Sequence, residues 1–204
     1  MAHPDIDSPK RRAIMEAATE LFAARGYGAV SMDAIARAAD VSKATLYAHF
    51  ESKDALFATI VKTACEENIL PGGEFTDGGA PDGTQDVAAA LRAIGGRMLR
   101  FFLRDLTMAL HRLVIAESVR FPELARAFYE NGPVAGRRGL AAWMSRQPGL
   151  AVPEPEIAAE QFLGMIRSGL FLRATLGLEP EPDDAAIDAV VAASVRTFLR
   201  AYGA

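Results

Sequence analysis

A chain of 204 residues, half of them hydrophobic, with one cysteine and a formal net charge of −4, has room for one small and one medium core. The lone Cys65 excludes an internal disulfide and suits a reducing cytoplasm, where it reads as a packed small hydrophobe. No run of about 18 uninterrupted apolar residues is available to cross a membrane, and MAHPDIDSPKRR has no apolar stretch behind its charges to act as a signal peptide.

Ser8-Pro9 is a good cap and first-position pair and Gly26 a stop, so a first helix is expected over 9–25, with Ile14, Ala18, Leu21 and Phe22 on its apolar stripe. Tyr27 is expected to close that small core. From Ser31 to Phe50 two short helices meet at a tight corner. Ser31 can cap the first, with Val30 and Ile35 at the staple positions; Ser42 can cap the second, with Val41 and Leu46. Asp40 falls where such a corner takes a left-handed residue. This spacing is that of a helix-turn-helix whose second helix enters the major groove.

Leu46 and Phe50 look inward on that second helix, which leaves Lys43, Ala44, Thr45, Tyr47 and His49 outside. A cation, small residues, a hydroxyl, a phenol and an imidazole suit phosphates, thymine methyls and base edges. Lys43 and Lys53 each follow a capping serine, where a cation is unfavourable unless an anion arrives; the plain alternative is two solvated lysines. Residues 1–60 carry seven basic and eight acidic side chains, so affinity for DNA must come from placement rather than bulk charge.

A fourth helix is expected from Ser52-Lys53 to about Leu70, with Leu56, Phe57, Ile60 and Val61 inward, followed by a Gly/Pro-rich loop over 71–86. That loop holds four acids, no base and no Gly-Lys-Ser/Thr ending, which excludes a phosphate-binding loop. Helices are then expected over 87–104, 106–121 (closed by Pro122) and 123–131 (broken by Gly132-Pro133). A helix bearing Leu140, Trp143 and Met144 follows, and after it helices over 155–176 and 183–202. Met98, Phe101, Phe102, His111, Trp143, Met144, Phe162 and Met165 would make an apolar, adaptable lining for a small molecule. The last two helices have surplus apolar surface, so a four-helix contact between two copies is expected there, with Phe162, Gly169 and Phe198 near it. Catalysis finds no constellation: His3, His49 and His111 are scattered, no metal-ligand spacing occurs, and no GxSxG surrounds Ser118.

The run AIMEAATELFAARGYGAVSMDAIARAADVSKATLYAHFESKDALF, within Arg12 to Phe57, closely resembles the TetR family of bacterial regulators. LF…GY, DAIA and VSKATLYAHFESKDAL carry the likeness; Asp40 and Ala44 stand where glycine is usual, and Ala48 where an aromatic is common. HRLVIAESVRFPELARAFYENGP and AAEQFLGMIRSGLFLRATLGL resemble the C-terminal region of the AefR-like branch. The resemblance implies an all-α protein with a three-helix DNA-binding domain over 8–68, its helix-turn-helix at 31–50, and a larger helical ligand-binding and dimerisation domain over 69–204. DNA contacts are expected from Ser31, Ser42, Lys43, Ala44, Thr45, Tyr47, His49 and Lys53. The expected activity is sequence-specific transcriptional regulation: a cytoplasmic homodimeric repressor on a roughly palindromic duplex operator, released by a small, mostly apolar effector, with no cofactor, metal or membrane. A regulator without a small-molecule ligand is the alternative, and the size of the second domain speaks against it.

Overall fold

The computed structural model describes residues 8–68, 86–167, 169–178 and 182–204. Among them the chain is helical, and its only extended pairing is an isolated bridge between Leu150 and Gly203. By packing the chain divides into two compact units, Met1–Thr63 with Ala109–Gly132, and Ala64–Met108 with Pro133–Ala204. The stretch 109–132, expected in the C-terminal domain, thus groups with the N-terminal helices.

The first unit begins with α1 (Pro9–Arg25), capped by Ser8, whose hydroxyl accepts from the Arg11 amide, and closed by Gly26 at φ 80°. Its stripe is buried at Ile14, Ala18 and Phe22, while Leu21, also expected on it, is half-buried. α2 (Met32–Ala38) and α3 (Lys43–His49) follow, then α4 (Lys53–Asn68). An aromatic cluster ties these pieces together: Phe22, Tyr27 and Phe57 lie 5.2–6.0 Å apart in tilted and edge contacts. Each ring is at most 1% exposed, so each contributes on the order of 2–3 kcal/mol by leaving water.

The second unit holds α5 (Val87–Leu103), which Asp86 caps through the amides of Ala88 and Ala89. After it come α6 (Asp105–Glu117), α7 (Pro122–Tyr129), α8 (Ala135–Met144), α9 (Pro155–Ile166), α10 (Gly169–Leu176) and α11 (Asp184–Tyr202). α4 and α6 carry residues of both units, and α7 belongs to the first. α5, α9 and α11 form the core of the second unit. At Gly95 an added Cβ would meet Phe162 Cζ and Val191 Cγ1 at 3.2 Å, so glycine permits this close approach. Outside, Arg100 reaches Asp184 and Asp188 at 2.8 and 2.9 Å, linking α5 to the start of α11.

Three boundaries differ from the sequence expectation. Pro122 does not close a helix; it is the first residue of α7, where its missing N–H costs nothing. Gly132-Pro133 does not break the chain either. Residues Glu130–Val134 widen into a π-helical turn that leads into α8, and the wider turn accommodates a ring that a tight α-turn would reject. The helix expected over 155–176 ends at Ile166: Arg167 adopts φ −76°, ψ −6°, and α10 restarts at Gly169, a poor helix former. The Gly/Pro-rich loop and His3 lie outside the described residues.

Candidate nucleic-acid interface

The reading head is built from its caps inward. Ser31 Oγ accepts from the Ala34 amide at 3.2 Å, and Ser42 Oγ from the Thr45 amide at 3.0 Å. Val30, Ile35, Leu46 and Phe50 are buried, which fixes the angle between the helices. At the corner Asp40 takes φ 51°, the left-handed conformation its side chain tolerates. The Val41 amide closes the turn on Ala36 O at 3.0 Å.

That packing leaves Lys43, Ala44, Tyr47 and Ala48 exposed, with Thr45 and His49 half-buried. Tyr47 is 51% exposed, its ring free to reach a base edge. Thr45 is less free, because its hydroxyl shares a 2.8 Å hydrogen bond with Ser42 Oγ. Lys43 pairs with Asp33 on the surface, a solvated contact that a phosphate can displace at small cost. His49 lines a concavity of about 320 Å³ with Tyr47, Phe50 and Thr59. Its Nδ1 is enclosed without a hydrogen-bond partner.

Lys53 is placed differently from the expectation of a cation standing free at a helix start. Its ammonium donates to Tyr27 O at 2.8 Å and Val30 O at 2.9 Å, and lies 4.2 Å over the Tyr27 ring. Desolvation lowers its pKa, opposed by Asp54 and Glu117. Two of its three donors therefore staple the α1–α2 loop to the start of α4, leaving one for a phosphate. The Tyr27 hydroxyl bonds Asp54 on the same turn, and burial, then that bond, raise its pKa.

The sequence reading missed what covers this loop. Phe121 packs edge-on to Tyr27 at 5.4 Å. A Cβ on Gly28 would come within 3.1 Å of the Phe121 ring, and one on Gly26 within 3.3 Å of Glu117 Oε1. The signal available was the pair of glycines around Tyr27, which marks a backbone approached closely by something.

The residues expected around an effector divide. Met98, Phe101, Phe102, Trp143, Met144 and Phe162 are buried in the second unit, none more than 7% exposed. His111 belongs to the first unit, its ring 5.7 Å from Phe128. Met165 faces an outer groove instead, of about 440 Å³, shared with Gln161, Gly164, Thr197, Phe198, Ala201 and Tyr202. Among the expected interface residues, Phe162 is a core ring with 0% exposure, and it packs on Phe198 at 5.3 Å. Phe198 forms the floor of the groove, while Gly169 is exposed on α10, with open space where a Cβ would stand.

Residues 14–60 match the family described as bacterial regulatory proteins, tetR family. Residues 89–204 match the AefR-like transcriptional repressor, C-terminal domain. The chain belongs to the TetR family. Among solved structures, the flavonoid-responsive regulator FrrA is 39% identical with a TM-score of 0.75, the likeness covering 95% of this chain and 97% of that one. A putative TetR-family regulator from Mesorhizobium loti MAFF303099 is 29% identical, TM-score 0.79, covering 97% and 100%. Curated relatives share shorter stretches. The transcriptional activator FasR of Mycolicibacterium smegmatis is 37% identical over 84 residues, 41% of this chain and 38% of its own length. The chain thus spans well under half of that relative. This TetR-family protein is an all-α, DNA-binding transcriptional regulator, and among the described residues no helix is long and apolar enough to cross a membrane.

Proposed function

We propose that this TetR-family regulator is a homodimeric repressor that binds a roughly palindromic operator through α3 and lets go when a small, mostly apolar effector occupies its second unit. The observation that carries the DNA contact is the capped, corner-fixed α3 with Ala44 and exposed Tyr47 on its outer face. Ala44 admits close approach to a thymine methyl, Tyr47 reaches base edges, and Ser31, Ser42, Lys43 and the remaining donor of Lys53 supply backbone contacts. One such head buries too little for useful specificity, so two act together on half-sites about one helical turn apart, or a multiple of it.

The second copy docks on the α9–α11 groove. Gly164 has nothing within 4 Å of a built Cβ, and its neighbours Met165, Phe198 and Ala201 give the groove an apolar lining. A partner helix fits this surface, which supports a four-helix seam. The effector reading draws on FrrA, whose name describes it as flavonoid-responsive, and on the aromatic-rich second unit.

The test is fluorescence anisotropy with duplexes tiling the region upstream of the protein's own gene, together with sedimentation. A single shifted site with dyad symmetry and a dimer in solution are expected. Gly164→Glu should leave folding intact while giving monomers that bind no operator. A Gly164→Glu protein that sediments as a dimer and still binds would remove α9–α11 as the seam.

A further inference from the structure

We infer that Arg167 anchors the acidic group of a flat aromatic carboxylate inside the second unit; this rests on the effector reading above and names the chemistry of that effector. Arg167 sits where α9 ends, and its guanidinium lies 4.2 Å over the Phe102 ring and 5.6 Å from that of Phe171. Its Nε is enclosed and has no hydrogen-bond partner. No carboxylate among the described residues pairs with it, whereas Arg92, Arg100, Arg126 and Arg137 all meet one.

The nearby ionisable group does not supply the missing charge. Cys65, on α4, is buried, and that burial pushes its thiol up to about 11, the Arg167 charge opposing the rise only in part. At neutral pH it is an uncharged thiol. Burial also disfavours the charged form of Arg167 itself, yet a guanidinium cannot shed its proton in a protein. Stacking on two phenyl faces returns less than withdrawing a cation from water costs. A side chain kept only for packing against Phe102 and Phe171 would serve better as Met or Leu. The planar fork is suited to a carboxylate, which accepts two parallel N–H bonds from it. Phe102 and Phe171, edge to face with centroids 6.2 Å apart, supply walls for a flat ring beside that carboxylate.

The experiment uses the full chain with two matched probe pairs: trans-cinnamate against cinnamamide, and 2-naphthoate against 2-naphthamide. Calorimetric binding and operator release are measured for wild type, Arg167→Met and Arg167→Lys. Wild type should bind each acid at least tenfold more tightly than its amide. Arg167→Met should lose that preference, and Arg167→Lys should keep it in weakened form, since it retains charge but not the fork. A structural arginine would instead affect acid and amide alike. Arg167→Met is expected to melt no lower than wild type, because it removes an uncompensated charge; if it does not fold, Arg167→Lys carries the comparison. Equal binding of acid and amide to wild type, binding of neither, or an acid preference that survives in Arg167→Met each overturns the inference. The effector reading fails separately: acids that bind through Arg167 without releasing operator leave the site standing and remove that reading, while release by amides alone does the reverse.

Discussion

Replacing Lys53 by Met keeps most of the stem and deletes the ammonium, which isolates the staple at the base of the reading head. Two bonds from a charged donor to carbonyls are lost, at 2.8 and 2.9 Å, with a cation–π contact at 4.2 Å. Hydrogen bonds to charged groups contribute about 1.5–3 kcal/mol each, and the stacked cation about 0.5–1 kcal/mol. Against this stands the cost of desolvating the ammonium, which is what lowers its pKa, and water can reach the freed carbonyls in this half-buried site. A net loss of about 1–3 kcal/mol remains, and at about 2–4 °C per kcal/mol for a chain of this size the melting temperature should fall by roughly 2–12 °C. Thermal denaturation followed by circular dichroism reads this directly. A second measurement separates the remaining donor: the salt dependence of operator binding should weaken by about one counterion per head if it also meets a phosphate. Lys53→Met melting within about 1 °C of wild type would refute the staple.

Asp40→Val forces a β-branched residue to φ 51°, and should destabilise by about 1–2 kcal/mol, measured by urea unfolding. Gly95→Val places carbon 3.2 Å from Phe162 and Val191, and should cost about 1–3 kcal/mol by overpacking; an unchanged urea midpoint would contradict the close α5–α9–α11 approach. For Cys65 the folded thiol titrates at about 11 against an ordinary 9.0. The folded state therefore holds its proton more tightly, and stability present below pH 9 is lost as pH rises through 11. Cys65→Ala should flatten that alkaline decline, by up to about 2–3 kcal/mol, in urea titrations run between pH 8 and 11.

The helix-turn-helix was legible because its signals are local. Caps and the Asp40 corner are read within four or five residues, and each sits where the spacing placed it, while the expected staple residue Val41 is only half-buried. Lys53 was legible only in part for the same reason: from sequence it is a cation after a capping serine, and only the return of the α1–α2 loop brings two carbonyls to it. Phe121 could not be placed by any local rule, since it lies far along the chain from Tyr27. In the second unit the apolar stripes gave α5 and α11 correctly, but a stripe does not say which apolar residue is core and which is surface. Phe162 and Met165 are three apart on one helix; the first is buried against Gly95, the second lines the outer groove. The end of α9 at Ile166 was hidden because the apolar pattern runs on into α10 across Arg167.

A net negative charge and a DNA-binding role are reconciled by where the cations of the reading head stand rather than by how many they are. Lys43 meets Asp33 in a solvated surface pair, and two of the three donors of Lys53 are taken by carbonyls. Arg11 lies 5.1 Å over the Phe50 ring, so part of its charge serves packing. With seven basic against eight acidic side chains over residues 1–60, the head is expected to gain little from nonspecific phosphate attraction, with only a few charges per half-site contributing through counterion release. On the DNA contact proposed above, discrimination depends on the neutral groups of α3, the methyl-sized Ala44 and the phenol of Tyr47. Such short-range contacts would reward a matching base edge and leave polar atoms unpaired against a wrong one. Weak general attraction with strong local matching raises the ratio of specific to nonspecific binding, and that ratio, rather than bare affinity, decides occupancy of one operator among a genome of competing sites.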